Sequence, residues 1–331
     1  MTATLLVGTR KGLFVIQDGG VQGPLLPGWE VFHALARDGS IYAAANNFVY
    51  GATVQRSADG GKTWERSEPI DGLKRAWHVE PGRDGSLWLG GDPGCLFHSD
   101  DGGVTWQPNA GLLEHPTRER WQPGAGGMCC HSIQVTPDAL YVAISAAGAF
   151  RSDDGGDTWT PINEGVAADF LPEKYPDVGQ CVHKLLAHPG RAGRLWQENH
   201  CGTYRSDDRG DTWDRIDGNG LPSSFGFGLA LDPSDPDVAY VIPQQADEYR
   251  VAAEGRLAVW RTADGGASWA PLTEGLPAPA WTGVLREGMS FDADGVYFGT
   301  QSGSVFAQQG GGWQEVASQL PTICSVDVAV L

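Results

Sequence analysis

Short apolar runs alternate with polar turns along the whole chain, and capped segments with helical spacing are hard to find. Runs such as SLWLGG (86–91), ALYVAIS (139–145) and GVYFGT (295–300) are rich in β-branched or aromatic residues and end near Gly, Asp or Pro. Segments of this length and composition are typical of β-strands. The pattern therefore predicts an all-β protein.

A repeated string divides these strands into units. The form S-x-D-x-G-x-T-W recurs as SADGGKTW (57–64), SDDGGVTW (99–106), SDDGGDTW (152–159), SDDRGDTW (206–213) and TADGGASW (262–269). Trp29 and Trp313 mark two weaker relatives. Each unit contains four short strands, and a repeat of four strands is typical of a propeller blade.

The seven Trp positions define six intervals along the chain, and the residues after Trp313 together with those up to Trp29 supply the seventh repeat. The segment ATLLVGT near the start resembles a second strand, and the alternation in TICSVDVAVL at the end suits the missing first strand. Sealing the ring in this way removes the open sheet edges that favour aggregation. We predict a seven-bladed β-propeller of four-stranded blades, closed by the C-terminal strand in the N-terminal blade. Residues 1–331 are expected to form one domain.

The repeated string itself suggests either a calcium loop or a hairpin. An EF-type loop spreads its carboxylates over twelve residues and ends with Glu, and no such Glu follows SDDGGDTW. In a hairpin, Gly supplies positive φ, Asp accepts hydrogen bonds from the turn, and Trp packs between blades. The hairpin interpretation is favoured.

These five strings resemble the Asp-box (BNR) repeat family, which includes sialidases and sortilin-type receptors. The stretch from GAGGMCCHSI through VGQCVHKLLAHP is similar to a bacterial cytoplasmic branch of that family. The resemblance implies a propeller fold, with a glycosidase-like hydrolase as one expectation. The catalytic residues of sialidases match no position here, because those enzymes are usually six-bladed and begin with a Phe-Arg-Ile-Pro segment that is missing here.

Charge and targeting signals narrow the classes of partner. The chain has 331 residues and a formal net charge of −18, and it shows no cluster of Lys and Arg. Nucleic acid and anionic membranes are therefore excluded as expected partners. No signal peptide or membrane span is recognisable, so a cytoplasmic location is expected. The six cysteines lack CxxC spacing and are expected to be free thiols.

Candidate chemistry gathers where the inner strands begin, on the rim opposite the Asp boxes. Long loops at 107–127 and 160–180 and an insertion at 243–256 are expected to lid the channel there. The candidate ligand-binding residues are Arg75, Trp77, His78, His131, His183, His200, Arg286 and Glu287. The arginines suit an anionic ligand, and the alternative interpretation is a solvated ring of ion pairs across the channel.

Histidines in matched positions suggest a second role. His131 and His183 each lie six residues before a strand-ending Pro, and His200 follows in a turn. We expect these three to share a divalent metal such as Zn²⁺, with neutral imidazoles as ligands. The alternatives are acid, base or hydrogen-bonding roles toward a ligand, or a polar channel lining with bound water.

Two functions remain in competition. In the first, a lidded channel-mouth pocket binds or transforms a small molecule, either anionic or a carbohydrate, by glycosidase-like or metal-assisted chemistry. In the second, the propeller is a non-catalytic platform for protein interaction. A deep pocket between His131, His183 and Arg286 would favour the first, and exposed aromatic patches on the rim would favour the second.

Overall fold

The computed structural model describes residues 3–124 and 126–329, which form seven four-stranded antiparallel sheets. Named from the channel outward, blade 1 contains β28 (Ile323–Ala329), β1 (Thr4–Thr9), β2 (Gly12–Gln17) and β3 (Gly20–Leu25). Blade 2 contains β4 (Glu30–Arg37), β5 (Ser40–Asn47), β6 (Gly51–Ser57) and β7 (Glu65–Arg66). Blade 3 contains β8 (Arg75–Pro81), β9 (Leu87–Asp92), β10 (Cys95–Ser99) and β11 (Gln107–Pro108). Blade 4 contains β12 (Cys130–Val135), β13 (Leu140–Ile144), β14 (Gly148–Ser152) and β15 (Thr160–Pro161). Blade 5 contains β16 (Val182–Ala187), β17 (Leu195–Asn199), β18 (Gly202–Ser206) and β19 (Asp214–Arg215). Blade 6 contains β20 (Phe225–Leu231), β21 (Ala239–Gln244), β22 (Val259–Thr262) and β23 (Ala270–Leu272). Blade 7 contains β24 (Met289–Asp292), β25 (Gly295–Gly299), β26 (Val305–Gln309) and β27 (Gly312–Ala317).

Helical structure is limited to short connecting segments. One α-helix, α1 (Ala110–Leu113), and two 3₁₀ turns at Arg118–Arg120 and Ala253–Gly255 occur in the described residues. None of these helices has the length and apolar character required to cross a membrane. The all-β prediction is confirmed.

The ring closes as the sequence predicted. Strand β28 pairs antiparallel with β1, and Thr4 lies opposite Ala329 at one end of the pairing. Each inner strand packs beside the inner strand of the next blade, and β24 of blade 7 packs beside β28 of blade 1. The last two residues of the predicted closing segment, Val330 and Leu331, lie outside the described residues.

Each Asp box is a hairpin that satisfies its own polar groups. In blade 4, Asp154 accepts the Thr158 amide at 2.9 Å and the Thr158 hydroxyl at 2.6 Å. The Ser152 hydroxyl donates to the same carboxylate at 2.7 Å and accepts the Gly156 amide at 2.8 Å. These hydrogen bonds from Thr158 and Ser152 lower the pKa of Asp154 to about 2. Both carboxylate oxygens are therefore used within the hairpin, which supports the hairpin interpretation in this box.

Box tryptophans join neighbouring blades. The indole N–H of Trp213 in blade 5 donates to the carbonyl of Ile162 in blade 4 at 2.8 Å, and Trp269 makes the equivalent bond to Ile216 at 2.9 Å. Both indoles are buried. Because an aromatic ring and its polar N–H are satisfied together, each of these two boxes fixes its blade against the preceding one.

The inner strands share an irregularity that determines which side chains face the channel. The pairing register of the first and second strands slips by one residue in six blades. A β-bulge of this kind leaves one residue unpaired and redirects its side chain. We call the six unpaired residues the bulge ring: Cys324, Phe32, Trp77, His131, His183 and Phe227.

Candidate ligand site at the channel mouth

The inner strands begin at one end of the channel, which we call the mouth rim; the Asp boxes occupy the opposite rim. A cavity of about 200 Å³ opens at the mouth rim. Bulge-ring residues Cys324, Phe32 and Trp77 contribute to its lining. Four arginines also line it: Arg10, Arg75, Arg250 and Arg286. A protein with net charge −18 thus concentrates guanidinium groups at this one opening.

Arg286 is the least compensated of these arginines. Its guanidinium carbon lies 4.6 Å from the ring centre of Phe227 and 5.9 Å from that of Trp77. Within residues 3–124 and 126–329, no carboxylate oxygen lies within 4.0 Å of its side-chain nitrogens, and its buried Nε has no hydrogen-bond partner. Burial lowers the pKa of Arg286 from its usual value. An uncompensated guanidinium held between two rings is suited to an anionic group.

Two other arginines of the cavity are held by carboxylates. Arg75 is ion-paired with Asp92 at 2.9 Å and donates to the carbonyl of Gly126 at 3.1 Å. Arg10 is paired with Glu30 at 2.9 Å. Arg250, from the insertion at 243–256, donates to the Asp247 carbonyl at 2.9 Å and lies 5.6 Å from the Phe227 ring centre. Arg250 and Arg286 are therefore the cations most available to a ligand.

The long loops contribute to this cavity unequally. Loop 107–127 folds back onto blades 3 and 4, where Arg118 donates to the carbonyls of Pro93 and Gly94, both at 2.6 Å. It reaches the described lining of the cavity only through Gly126, and loop 160–180 contributes no described lining residue. The insertion contributes Arg250. Of the three segments expected to lid the channel, only loop 107–127 and the insertion therefore contribute to the described lining of the cavity.

The predicted histidines lie behind the cavity instead of in its lining. His131 is fully buried, hydrogen-bonds through Nε2 with the Ser145 hydroxyl at 2.9 Å, and meets the Trp77 ring edge-on at 6.5 Å. His183 is also buried, and its Nδ1 donates to the carbonyl of Gly226 at 2.6 Å. Burial, reinforced by the charge of Arg286, holds the pKa of both rings well below the usual value. Both imidazoles are therefore neutral at physiological pH.

The structure groups the predicted metal ligands differently from the sequence expectation. His183 and His200 lie together, with ring centres 5.8 Å apart. Their third neighbour is Cys181: one ligand atom from each of these three residues lies within 4.8 Å of the other two. No such group containing His131 occurs among the described residues. Cys181, and not His131, therefore lies beside His183 and His200, and whether these residues bind a metal stays a prediction.

A buried charged network lies below the bulge ring. Glu287 is ion-paired with Lys184, and its other carboxylate oxygen lies 3.3 Å from His78 Nδ1. His78 Nε2 lies 3.2 Å from Glu80, and the His78 ring stacks on His33 at 4.1 Å. These residues line a second cavity of about 290 Å³ that continues toward the Asp-box end of the channel.

The pKa values of the network follow from burial and mutual attraction. Burial would raise the pKa of Glu287, but the charges of Lys184 and His78 outweigh it and hold that pKa well below its usual range. Burial would likewise lower the pKa of His78, but Glu287 and Glu80 raise it to about 9. His78 and Glu287, both predicted as ligand-binding residues, thus form a charge-compensated pair.

A larger open groove lies elsewhere and lacks this chemistry. It encloses about 910 Å³ along blades 1 and 7. Its described lining carries the carboxylates Asp18, Asp294 and Glu315 but no His, Cys, Lys or Arg. Size alone therefore does not identify the site, and the mouth cavity remains the better candidate on chemical grounds.

Sequence reasoning missed three residues that matter here. Lys184 follows His183 inside the apolar strand VHKLLA, and a lysine in that context is a signal that it has a buried partner. Arg250 lies in the insertion, but its position in the cavity depends on how that loop folds. Cys181 lies two residues before His183, but its grouping with His200 depends on a hairpin returning to the start of β16, where the His200 amide donates to the Cys181 carbonyl at 2.9 Å.

Comparison with known proteins places the fold. The BNR/Asp-box repeat family matches residues 97–108. Xyloglucanase Xgh74A of Acetivibrio thermocellus is 27% identical over 261 residues, 67% of this chain and 29% of the relative. The GH74 xyloglucanase structure from Xanthomonas campestris superposes with a TM-score of 0.64 at 18% identity, over 95% of this chain and 52% of that one. YCF48 bound to D1 peptide superposes with a TM-score of 0.56 at 16% identity, over 90% and 89%.

The share of each relative that the chain covers differs between these matches. The chain spans less than a third of the curated xyloglucanase and about half of the solved one, but nearly the full length of the YCF48 chain. At these identities the solved structures establish architecture and not activity. The chain is accordingly a seven-bladed Asp-box β-propeller whose relatives include glycosidases of the xyloglucanase type.

Proposed function

We propose that this propeller binds a small carbohydrate bearing an acidic group, seated in the mouth cavity with its carboxylate on Arg286. The observation that carries the proposal is the uncompensated guanidinium of Arg286 between Phe227 and Trp77. A carboxylate there would form charge-assisted hydrogen bonds in a partly dehydrated site, where such bonds are strongest. Arg250 supplies a second cation beside it.

The size of the cavity favours a ligand of about one sugar ring. Pockets for drug-sized molecules enclose roughly 300–1,000 Å³, whereas this cavity encloses about 200 Å³. A polysaccharide would therefore place only a terminal unit inside it. The carbohydrate part of the proposal draws on the xyloglucanase relatives, and the acidic part draws on the arginines.

Exposed aromatic side chains around the mouth rim add support for carbohydrate binding. They occur in the turns and loops of that rim: Phe48, Tyr50, Phe170, Tyr175, Tyr249 and Trp281. Flat aromatic surfaces pack against the apolar faces of sugar rings. The same surface would also suit a protein partner, as in the non-catalytic alternative, and the YCF48 structure with a bound peptide makes that the competing outcome.

A matched pair of sugars tests the proposal directly. Glucuronate and glucose share a ring and differ at the acidic group, so calorimetric titration of both separates charge recognition from ring recognition. We expect glucuronate to bind and glucose to bind at least about tenfold more weakly. Arg286→Met should abolish the difference, whereas Arg256→Met, an exposed change in the insertion that carries Arg250, should preserve it. Equal binding of the two sugars, or glucuronate binding that survives Arg286→Met, would contradict the proposal.

Hydrolysis of a glycosidic bond is the second candidate, favoured by the xyloglucanase relatives. Glycosidases generally place two carboxyl groups about 5–9.5 Å apart across the bond. Three carboxylates lie in or near the cavity here, and each has its own ion-pair partner. Glu287 is paired with Lys184, Asp92 with Arg75, and Glu30 with Arg10. Release of reducing sugar from xyloglucan oligosaccharides, lost in Glu287→Gln and retained in Asp154→Asn, would establish this activity.

A further inference from the structure

A cysteine and two histidines meet at the mouth rim of blade 5. Cys181 immediately precedes β16, His183 is the bulge-ring residue of that strand, and His200 lies in the turn between β17 and β18. One ligand atom from each lies within 4.8 Å of the other two. The backbone hydrogen bond from the His200 amide to the Cys181 carbonyl, at 2.9 Å, ties the turn to the start of the strand.

We propose that these three side chains bind one zinc ion. A thiolate and two imidazoles form a ligand set that selects zinc over magnesium or calcium, which prefer oxygen. Three protein ligands leave a fourth tetrahedral position for water or a ligand, as in catalytic zinc sites. The His200 side chain is 28% exposed, so that position is accessible from the rim.

The polar neighbours of both histidines suit ligation. His183 Nδ1 donates to the Gly226 carbonyl at 2.6 Å, which fixes the tautomer and leaves the Nε2 lone pair free for a metal. The carboxylate of Asp247 lies 3.6 Å from His200 Nε2. Ligating histidines almost always have a carbonyl or carboxylate partner of this kind on the other ring nitrogen, because it orients the ring and raises its basicity.

A second group with ligand-like spacing is a poorer metal site. His33, His78 and Glu287 also have ligand atoms within 4.8 Å of one another. Glu287, however, is already neutralised by Lys184, and a divalent ion there would face that ammonium at close range. The group at Cys181 has no lysine or arginine ion pair among its members in the described part of the chain. The guanidinium of Arg286 does lie near His183 and Cys181, and it weakens cation binding without occupying a ligand atom.

The test uses the full-length chain, stripped with chelator, free of any histidine tag and titrated with Zn²⁺ and Co²⁺. We expect one ion per chain by elemental analysis. Cobalt should give the strong visible absorption of tetrahedral coordination and a near-ultraviolet thiolate-to-metal band. Cys181→Ser should remove the thiolate band, and His200→Ala should weaken binding by more than about tenfold. His98→Ala is the matched control, because that side chain is 29% exposed and lies on the outer part of blade 3.

The outcomes separate this site from the proposed sugar site. Arg286→Met should abolish glucuronate recognition but leave one zinc per chain, so either proposal can fail alone. The zinc proposal is overturned if the stripped protein takes up no metal at micromolar concentrations. It is equally overturned if the thiolate band survives Cys181→Ser, or if binding is lost in Glu287→Gln while Cys181→Ser retains it.

Discussion

The Asp boxes and the charged network of the channel satisfy their carboxylates in opposite ways. On the Asp-box rim, a carboxylate such as Asp154 finds its partners within its own hairpin, no more than four residues away along the chain. At the mouth rim and in the channel, partners come from other blades: Lys184 of blade 5 meets Glu287 at the start of blade 7, 103 residues away. Local motifs thus build the Asp boxes, and closure of the ring builds the channel network.

The largest effect is expected from opening the ring. Deletion of residues 322–331 removes β28, exposes the edge of β1, and takes Cys324 and Asp327 out of the channel. An exposed strand edge promotes aggregation, and loss of the inner strand removes the buried Ile323 and Val326. We expect aggregation or loss of a cooperative thermal transition, measured by light scattering and calorimetry. A truncated chain that melts like the full-length protein would contradict closure by β28.

Truncating one tryptophan on each rim sharpens the comparison. Trp159 is buried, and its indole N–H donates to Asn109 at 3.0 Å, whereas Trp281 at the mouth rim is 71% exposed. Trp159→Ala should lower the free energy of unfolding by about 3–5 kcal/mol, and Trp281→Ala by less than about 0.5 kcal/mol. Urea titration measures both. Loss of glucuronate binding in folded Trp159→Ala would mean that the Asp-box rim also serves the ligand.

The difference between the rims explains what the sequence could predict. The Asp boxes are visible because serine, aspartate, glycine and tryptophan act within one hairpin, so their spacing predicts the turns and blades. Together with Trp29, Trp313 and the chain ends, this spacing also predicts the repeat number. The box in blade 5 departs from the pattern at one position, because Arg209 adopts a φ of 67° where the other boxes have glycine. Lys184 and Glu287 lie in different blades, and no local pattern links them. The bulge ring could not be predicted from the sequence either, because a register slip depends on how the inner strand pairs with the second strand of its blade.

Breaking the pair across the channel should cost more than removing both members. Lys184→Met leaves the carboxylate of Glu287 buried without its ammonium partner, and we expect about 3–5 kcal/mol of destabilisation at neutral pH. The double variant Lys184→Met/Glu287→Gln removes both charges and should recover most of that loss. Urea unfolding of the four members of the double-mutant cycle measures the coupling. A double variant as unstable as Lys184→Met would show that lysine packing, and not charge pairing, stabilises the channel.

The smallest expected effect is a pH dependence confined to the channel. His78 is buried between Glu287 and Glu80, with His33 stacked on its ring and Lys184 beyond Glu287. Its carboxylate neighbours overcome burial and raise the pKa of His78 from 6.5 to about 9. A group whose pKa is raised by folding stabilises the protein fully below its unfolded pKa and loses that contribution as pH rises through the folded pKa. The stabilisation by His78 should therefore decline between pH 6.5 and about 9.

This window is isolated by comparing the protein with His78→Gln at each pH, because Asp327, whose pKa burial and Glu80 raise to about 7, titrates in both. The pKa difference corresponds to about 3 kcal/mol, so the stability gap between the two proteins should shrink by about that amount from about pH 6 to about pH 9.5. Asp154→Asn on the Asp-box rim is the control, because the pKa of Asp154 is about 2 and its charge stays constant throughout. A gap that stays constant across this range would mean that folding does not raise the pKa of His78, and that its charge does not stabilise the channel.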